Sequence, residues 1–465
     1  MAEPLSPTDR SSLTAEHGAV NMAVAGLIVI EGGSGITYET LCQRVTERIH
    51  LLPGFRKRLE RPAFGLANPV WVDDENFDVQ WHVRQTTLST PDEAALDAYI
   101  GREASRLMDR SRPLWELHLV NGLPGDQIAL IAKMHHALVD GTSGLAAGMV
   151  LLDPGPEPLP VEPPAELGAP QLSALQRHLA RIADSPVARA RRLVIEGTTR
   201  LLETSALSAA ADVARAADVV RALADARPVA PPLPINRPIS ANRSWARTSA
   251  PLSAIKAAGK AAGGTVNDVI LAIVCGMLDG YLREAGVEPD QLPRDPVALV
   301  PVNVRRPDDP PGGNRISVVF VDLPVGEPDP RRRIEILSER MTLIKGSAKV
   351  AAGALMVDMT GFAPPLLSSI IARAPLGGSF NLVVTNVPGP QAPLYLDGSR
   401  VRAIHAVGSL NPADQGLLVG VLSYDGTVCF GLTADRNLDP PVTRAIAALD
   451  DAVAQVSALA AAAGT

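Results

Sequence analysis

The chain is poor in cysteine, in aromatic residues and in net positive charge, and each shortage removes a class of protein. Its three cysteines, Cys42, Cys275 and Cys429, stand far apart in 465 residues. They form neither an even disulfide framework nor a metal-ligand spacing, and are expected as small buried hydrophobes of a reducing compartment. Aromatic residues make up 3% of the chain, so its cores must be built from aliphatic and alanine side chains. The formal net charge is −7, the wrong sign for a protein whose main partner is nucleic acid. The opening Met1-Ala2-Glu3-Pro4-Leu5-Ser6 has no basic region and no apolar core, so no signal peptide is expected. The longest apolar run in a helical context, Val269 to Leu278, is about half of what spans a bilayer. A cytoplasmic protein, or one lying peripherally on a membrane, is the expectation.

Several chemistries also lack their signals. No Gly-x-Ser-x-Gly elbow occurs, since Ser34, Ser143 and Ser379 each miss one of the two glycines. No Gly-x-x-x-x-Gly-Lys-Ser/Thr loop, Gly-x-Gly-x-x-Gly fingerprint or His-Glu-x-x-His pair is present. No metal is expected.

Hydrophobic residues make up 46% of the chain and charged ones 20%, as in a folded protein. Ala19 to Ile30 and Ile128 to Met134 read as strands, and Thr37 to Leu52 and Asp92 to Leu107 as amphipathic helices. Seven prolines between Asp153 and Pro170 mark a linker. Residues 171–227 read as helices; six arginines against two acids in 171–200 make a basic face, read first as solvated and second as a contact for anionic lipid. A second proline-rich stretch, Pro228 to Pro238, closes this arm. Beyond it, Thr265 and Asp268 predict a capping box at the start of an apolar helix reaching Leu282. Strands are expected at Pro296–Val302 and Ile316–Val325. Another, Phe380–Thr385, should be stopped by Asn386-Val387-Pro388-Gly389-Pro390. Leu417–Tyr424 and Thr427–Thr433 predict a hairpin through Asp425-Gly426, and a final alanine-rich helix follows Asp439-Pro440-Pro441.

The most informative stretch is His135-His136-Ala137-Leu138-Val139-Asp140-Gly141, at the end of an expected buried strand. Successive strand side chains point to opposite faces, so the two histidines cannot both face one cleft. One should act as a base, and the other should pack or hydrogen-bond behind it. Without a protein nucleophile, such a base suits direct transfer, in which a substrate hydroxyl is deprotonated and attacks an activated acyl group.

The motif resembles that of the bacterial wax ester synthase/diacylglycerol acyltransferase family, and ordered blocks along nearly the whole chain extend the resemblance. They are Leu5-Ser6-Pro7-Thr8-Asp9, Trp71-Val72-Asp73, Phe77-Asp78, His82-Val83-Arg84 and Met108-Asp109-Arg110-Ser111-Arg112-Pro113-Leu114-Trp115-Glu116. In the second half come Thr265-Val266-Asn267-Asp268, Gly313-Asn314-Arg315 and Thr385-Asn386-Val387-Pro388-Gly389-Pro390. Two departures, Ser12 for an aromatic residue and Ala23 for a histidine, bear on acyl-pocket shape.

The resemblance implies a mixed α/β fold of two chloramphenicol acetyltransferase-like domains facing across a central channel. The first spans 1–160, a proline-rich and helical linker arm 161–240, and the second domain 241–465. It implies transfer of a long-chain acyl group from acyl-CoA to diacylglycerol or a fatty alcohol, with no covalent acyl-enzyme and no cofactor beyond acyl-CoA as co-substrate. His136 is then the general base and His135 its support. Asp140, with Gly141, holds the loop by pairing with an arginine, for which Arg315 is a candidate. Asn267 is nominated to orient groups in the channel, beside Asp268, while Asn386 and Pro388 shape a turn near it. Lipid substrates imply work at a membrane or lipid-droplet surface. The alternatives are a same-fold enzyme using a carrier-protein or polyketide-lipid substrate, and a non-catalytic lipid-binding protein.

Overall fold

Among the described residues, the strands form two six-stranded sheets and a small three-stranded one. The computed structural model describes residues 3–32, 35–60, 69–139, 147–161, 230–303, 316–345, 378–410 and 414–462. The first part contains β1 (Glu3–Pro4), α1 (Pro7–Ala15), β2 (Ala23–Ile30), α2 (Tyr38–Arg48), β3 (Lys57–Glu60) and β4 (Val70–Asp73). It continues with α3 (Val79–His82), β5 (Val83–Thr87), α4 (Glu93–Ser105), β6 (Trp115–Asn121) and β7 (Ile128–His135). The second part holds β8 (Arg243–Pro251), α5 (Leu252–Ala261), α6 (Val266–Glu284), β9 (Val297–Asn303), β10 (Ile316–Asp322) and α7 (Pro330–Lys345). Next come β11 (Leu382–Pro388), β12 (Tyr395–Leu396), β13 (Ser399–Val407), β14 (Leu417–Tyr424), β15 (Thr427–Asp435) and α8 (Val442–Ala462). The expected mixed α/β class is what the chain adopts. The arginine-rich arm at 171–200 lies outside the described residues.

The first sheet runs β12-β13-β2-β7-β6-β5 and the second β10-β9-β11-β14-β15-β8; β1, β4 and β3 form the small one. Strand β7 is buried along its whole length. Its Ile128, Leu130, Ala132 and Met134 share a core with Leu41 and Val45 of α2. Its Ala129 and Ile131 share another with Leu96 and Ile100 of α4. Covering both faces explains a run that is almost continuously apolar rather than alternating.

Strands β12 and β13 come late in the chain but complete the first sheet, with β13 antiparallel to β2 from Val401↔Ile30 to Val407↔Ala25. They fall within the span 241–465 expected as the second domain, so sequence order and sheet membership differ here. The edge of β2 offers unpaired backbone groups that β13 satisfies. This strand also lies against the second sheet, and a Cβ on Gly431 of β15 would come 2.1 Å from the Ala406 carbonyl oxygen. Glycine at that position permits the close crossing.

The Asp425-Gly426 hairpin forms as expected, both residues having positive φ (43° and 76°) and Tyr424 pairing with Thr427. Strand β11 does not stop before Asn386. It runs parallel to β14 as far as Pro388↔Ser423, because proline's missing N–H is tolerated at the last position of a ladder. Helix α8 is long and apolar enough to cross a membrane by length and composition. It buries Ala445, Leu449, Ala452 and Val456 in the core that surrounds α6, and exposes Asp450, Asp451 and Gln455.

Candidate active site

Strand β7 ends on His135, whose N–H donates to the Leu114 carbonyl at 3.0 Å. Its ring is fully buried (0% exposed) and its Nδ1 accepts the Ala137 N–H at 2.9 Å. A neutral His135 therefore carries its proton on Nε2. His136 is half-buried, and its N–H donates to the Met22 carbonyl at 2.9 Å. The Leu138 N–H closes the turn on the His135 carbonyl at 2.8 Å. The strand ends on His135 and the turn begins at His136, which leaves one residue sealed in the protein and the other partly open.

Behind the sealed ring stands Glu16, a residue to which the sequence reading assigned no role. Its Oε2 accepts the Met22 N–H at 2.9 Å and faces His135 Nε2 at 3.3 Å, long for a charge-assisted hydrogen bond. Its Oε1 accepts from Arg110 Nε and Nη2 at 3.2 and 2.8 Å. Burial pushes the Glu16 carboxyl upward, but His135, the Met22 N–H and Arg110 outweigh burial and hold it at about 2. Glu16 is the C-cap of α1, whose other end is fixed by the Leu5-Ser6-Pro7-Thr8-Asp9 block. Ser6 Oγ accepts the Asp9 N–H and Asp9 Oδ2 accepts the Ser6 N–H, both at 3.1 Å, with Pro7 opening the helix. The block's physical role is a capping box that aims α1, and with it Glu16, at the histidines.

The other blocks of the first half converge beneath the same turn. Leu5, Trp71, Met108, Leu114 and Ala137 share one small core, together with Ala23, which pairs with His135 across β2 and β7. The His82 ring stacks on Trp115 at 4.3 Å between centroids and 13° between planes, and its Nδ1 lies 2.8 Å from the Trp115 carbonyl. Trp115 Nε1 donates to the Phe55 carbonyl at 2.7 Å. On this side lies an apolar cavity with about 440 Å³ of empty space counted to its mouth, lined by Val45, Leu52, Phe55, Trp115, Met134 and Ala147, among others.

Segment 147–159 is clamped to α2. Buried Asp153 pairs with Arg44 and with Arg48, the latter at 2.6 Å, and Arg48 Nη1 also donates to the Val150 carbonyl at 2.9 Å. The sequence reading missed this clamp, although Arg44 and Arg48 at i, i+4 on one helix face were a usable signal.

In the second half, Asn267 and Asn386 come together, Asn386 Nδ2 donating to Asn267 Oδ1 at 3.3 Å. Asp268 is taken up by the cap, its Oδ2 accepting from Thr265 N and Oγ1 at 2.8 Å each. Pro388 is exposed at the end of β11. Asp140, Gly141 and Arg315 lie outside the described residues, and the proposed Asp140–Arg315 pairing with them.

One group of potential metal ligands, Glu103, Glu116 and His118, brings three ligand atoms within 4.8 Å of one another. Its carboxylates already face cations, with Arg84 at 3.1 Å from Glu116 and Arg106 at 3.2 Å from Glu103. Burial raises Glu116, but His118, Lys133 and Arg84 together bring it down to about 2. Both carboxylates are already paired with cations, so these residues read as an ion network rather than a vacant coordination sphere.

The chain is similar to known proteins along nearly its whole length. The wax ester synthase/diacylglycerol acyltransferase catalytic domain matches residues 5–270, and the C-terminal domain of the same family matches 312–456. A Mycobacterium tuberculosis protein that carries the name diacylglycerol O-acyltransferase is 31% identical, covering 96% of this chain and 97% of that one. Another from the same organism is 31% identical, with 100% and 99% covered. The solved wax ester synthase/diacylglycerol acyltransferase of Marinobacter aquaeolei VT8 superposes with a TM-score of 0.70 at 28% identity, covering 98% of this chain and 100% of that one. The first condensation domain of the CDA synthetase shares the fold at a TM-score of 0.54 and 16% identity, with 99% and 96% covered.

Proposed function

The chain belongs to the wax ester synthase/diacylglycerol acyltransferase family and is an acyltransferase, and from that premise we propose its substrates and its base. It moves a long-chain acyl group from acyl-CoA to the hydroxyl of diacylglycerol, and takes fatty alcohols as a second acceptor class. His136 removes the acceptor's proton as its oxygen attacks the thioester carbonyl. The carbon–sulfur bond breaks, and the imidazolium returns the proton to the departing thiolate. No acyl-enzyme is needed.

One observation carries this reading: the strand end seals His135 away and leaves His136 half-buried with its backbone anchored. The apolar lining of the cavity on the Trp115 and Met134 side suits contact with an acyl chain. Positioned base catalysis is worth about 10²–10⁴ in rate, and alignment must supply much of the rest. Each buried CH₂ is worth about 0.8 kcal/mol, so a 16-carbon chain resists leaving a bilayer by roughly 12 kcal/mol. The enzyme therefore draws its substrates from a lipid interface and works peripherally on it.

The test is turnover of palmitoyl-CoA with dioleoylglycerol and with hexadecanol by purified protein. His136→Ala should lower turnover about 10²–10⁴-fold. A folded His136→Ala variant with wild-type turnover removes the base assignment. Refusal of acyl-CoA, with turnover of an acylated carrier protein, selects the carrier-dependent alternative instead.

A further inference from the structure

We infer that Glu16 is the positioning residue of the histidine pair, setting one carboxylate oxygen against the ring of His135 and onto the backbone that carries His136. The inference rests on the reading of His136 as the base and deepens it. Oε2 faces His135 Nε2 at 3.3 Å and accepts the Met22 N–H at 2.9 Å. The carbonyl of the same Met22 accepts the His136 N–H at 2.9 Å. The Ala137 N–H, on the other side of His136, donates to His135 Nδ1. His136 is thus held from both flanks by groups that converge on Glu16.

The other oxygen has a separate task. Oε1 takes both Arg110 bonds, and Arg110 Nη2 also reaches the Leu13 carbonyl in the last turn of α1 at 3.2 Å. The carboxylate plane is thereby pinned, with Oε2 turned toward the histidine. A carboxylate at a helix C-terminus opposes the helix dipole, and this one is also buried, its side chain 4% exposed. Two costs met at one residue need compensation, and the cationic and N–H donors on both oxygens provide it. A carboxylate facing Nε2–H also favours the ring tautomer whose Nδ1 accepts from Ala137.

This arrangement makes glutamine a poor replacement for a specific reason. If the amide oxygen faces His135, the NH₂ faces Arg110, and if it is flipped the NH₂ faces His135 and the Met22 N–H. Either way two donors oppose each other. Removing Arg110 as well frees the first orientation.

The experiment measures steady-state kinetics with palmitoyl-CoA and dioleoylglycerol, together with the ¹⁵N ring signals of histidine in the substrate-free protein. Glu16→Gln should lower kcat about 10²-fold, as expected for a misplaced reacting group, with KM for palmitoyl-CoA within about twofold. Adding Arg110→Met should recover about tenfold of that loss. On a His135→Asn background, Glu16→Gln should have little further effect, because linked residues are non-additive. The His135 ring should show an Nε2-protonated pattern that Glu16→Gln weakens. Wild-type kcat in folded Glu16→Gln overturns the inference, as does a full loss that multiplies with His135→Asn. If Glu16→Gln does not fold, the Glu16→Gln/Arg110→Met pair carries the same kinetic and ring tests. The ring signature is read without substrate, so it reports on Glu16 even if His136→Ala disproves the base.

Discussion

The interior behind β7 is wired with charge, whereas the interior around α6 is almost entirely hydrocarbon. Glu116, His118, Lys133 and His135 are buried on two neighbouring strands, with Glu103 of α4 beside them. Helix α6 instead buries Ile270, Leu271, Ile273, Val274 and Leu278 in a single aliphatic cluster. Buried ion pairs rarely repay their desolvation, so stability is a weak reason to place them in a core. The contrast teaches that the first sheet gives up packing freedom to hold particular polar atoms in place, on the strands that lead to the histidine pair. The second supplies a rigid body that presents the start of α6 and the end of β11.

Two buried histidines show the difference at single-residue scale. His135 has a carboxylate behind it. His405 of β13 lies 3.2 Å from the Phe430 carbonyl and meets Trp245 edge-on at 6.2 Å. Burial, reinforced by Arg247, pushes His405 down to about 3. One ring faces an anion, and the other meets a carbonyl and an indole at the seam between the sheets.

The charged side of the comparison should be the easier to break. Asp153→Ala leaves Arg48 buried without its carboxylate and Arg44 with only Asp397 at 3.2 Å, and should cost about 3–5 kcal/mol in urea unfolding. A loss below about 1 kcal/mol would place the clamp among weak surface-type pairs. The crossing strand gives the next effect. His405 is lowered from its ordinary 6.5 to about 3, so below pH 6.5 the unfolded chain takes up a proton that the folded protein refuses. Its contribution to stability is whole above that pH and lost as pH falls toward the folded value, reaching about 2 kcal/mol by pH 5. His405→Gln should show a correspondingly shallower fall in stability from pH 7 to pH 5, and an unchanged slope refutes the neutral ring. The smallest effect belongs to the apolar side. Thr265→Ala removes one half of the cap on α6 and should lower stability by about 1 kcal/mol, read as a modest drop in melting temperature.

Local signals were legible where they were complete within a few residues. The capping box at Thr265 and Asp268 and the Asp425-Gly426 hairpin both follow from short-range geometry. Strand β13 was missed, because Arg400, Arg402 and His405 interrupt its apolar pattern and its pairing depends on the free edge of β2. Glu16 was missed for a related reason. Nothing near it in sequence distinguishes it from a surface acid at a helix end, and its partners arrive from β2, β7 and the Arg110 loop.

The sequence by itself determined that a buried strand leads into the histidine pair, because a long apolar run bounded by turn residues can only be satisfied in a core. It also carried the ordered blocks that identify the family. Only the tertiary structure decided which acid stands behind the sealed histidine, which strand closes the first sheet and how the blocks meet beneath one turn. Those choices depend on contacts between segments distant in sequence, and on which donors remain unmet once the core is packed.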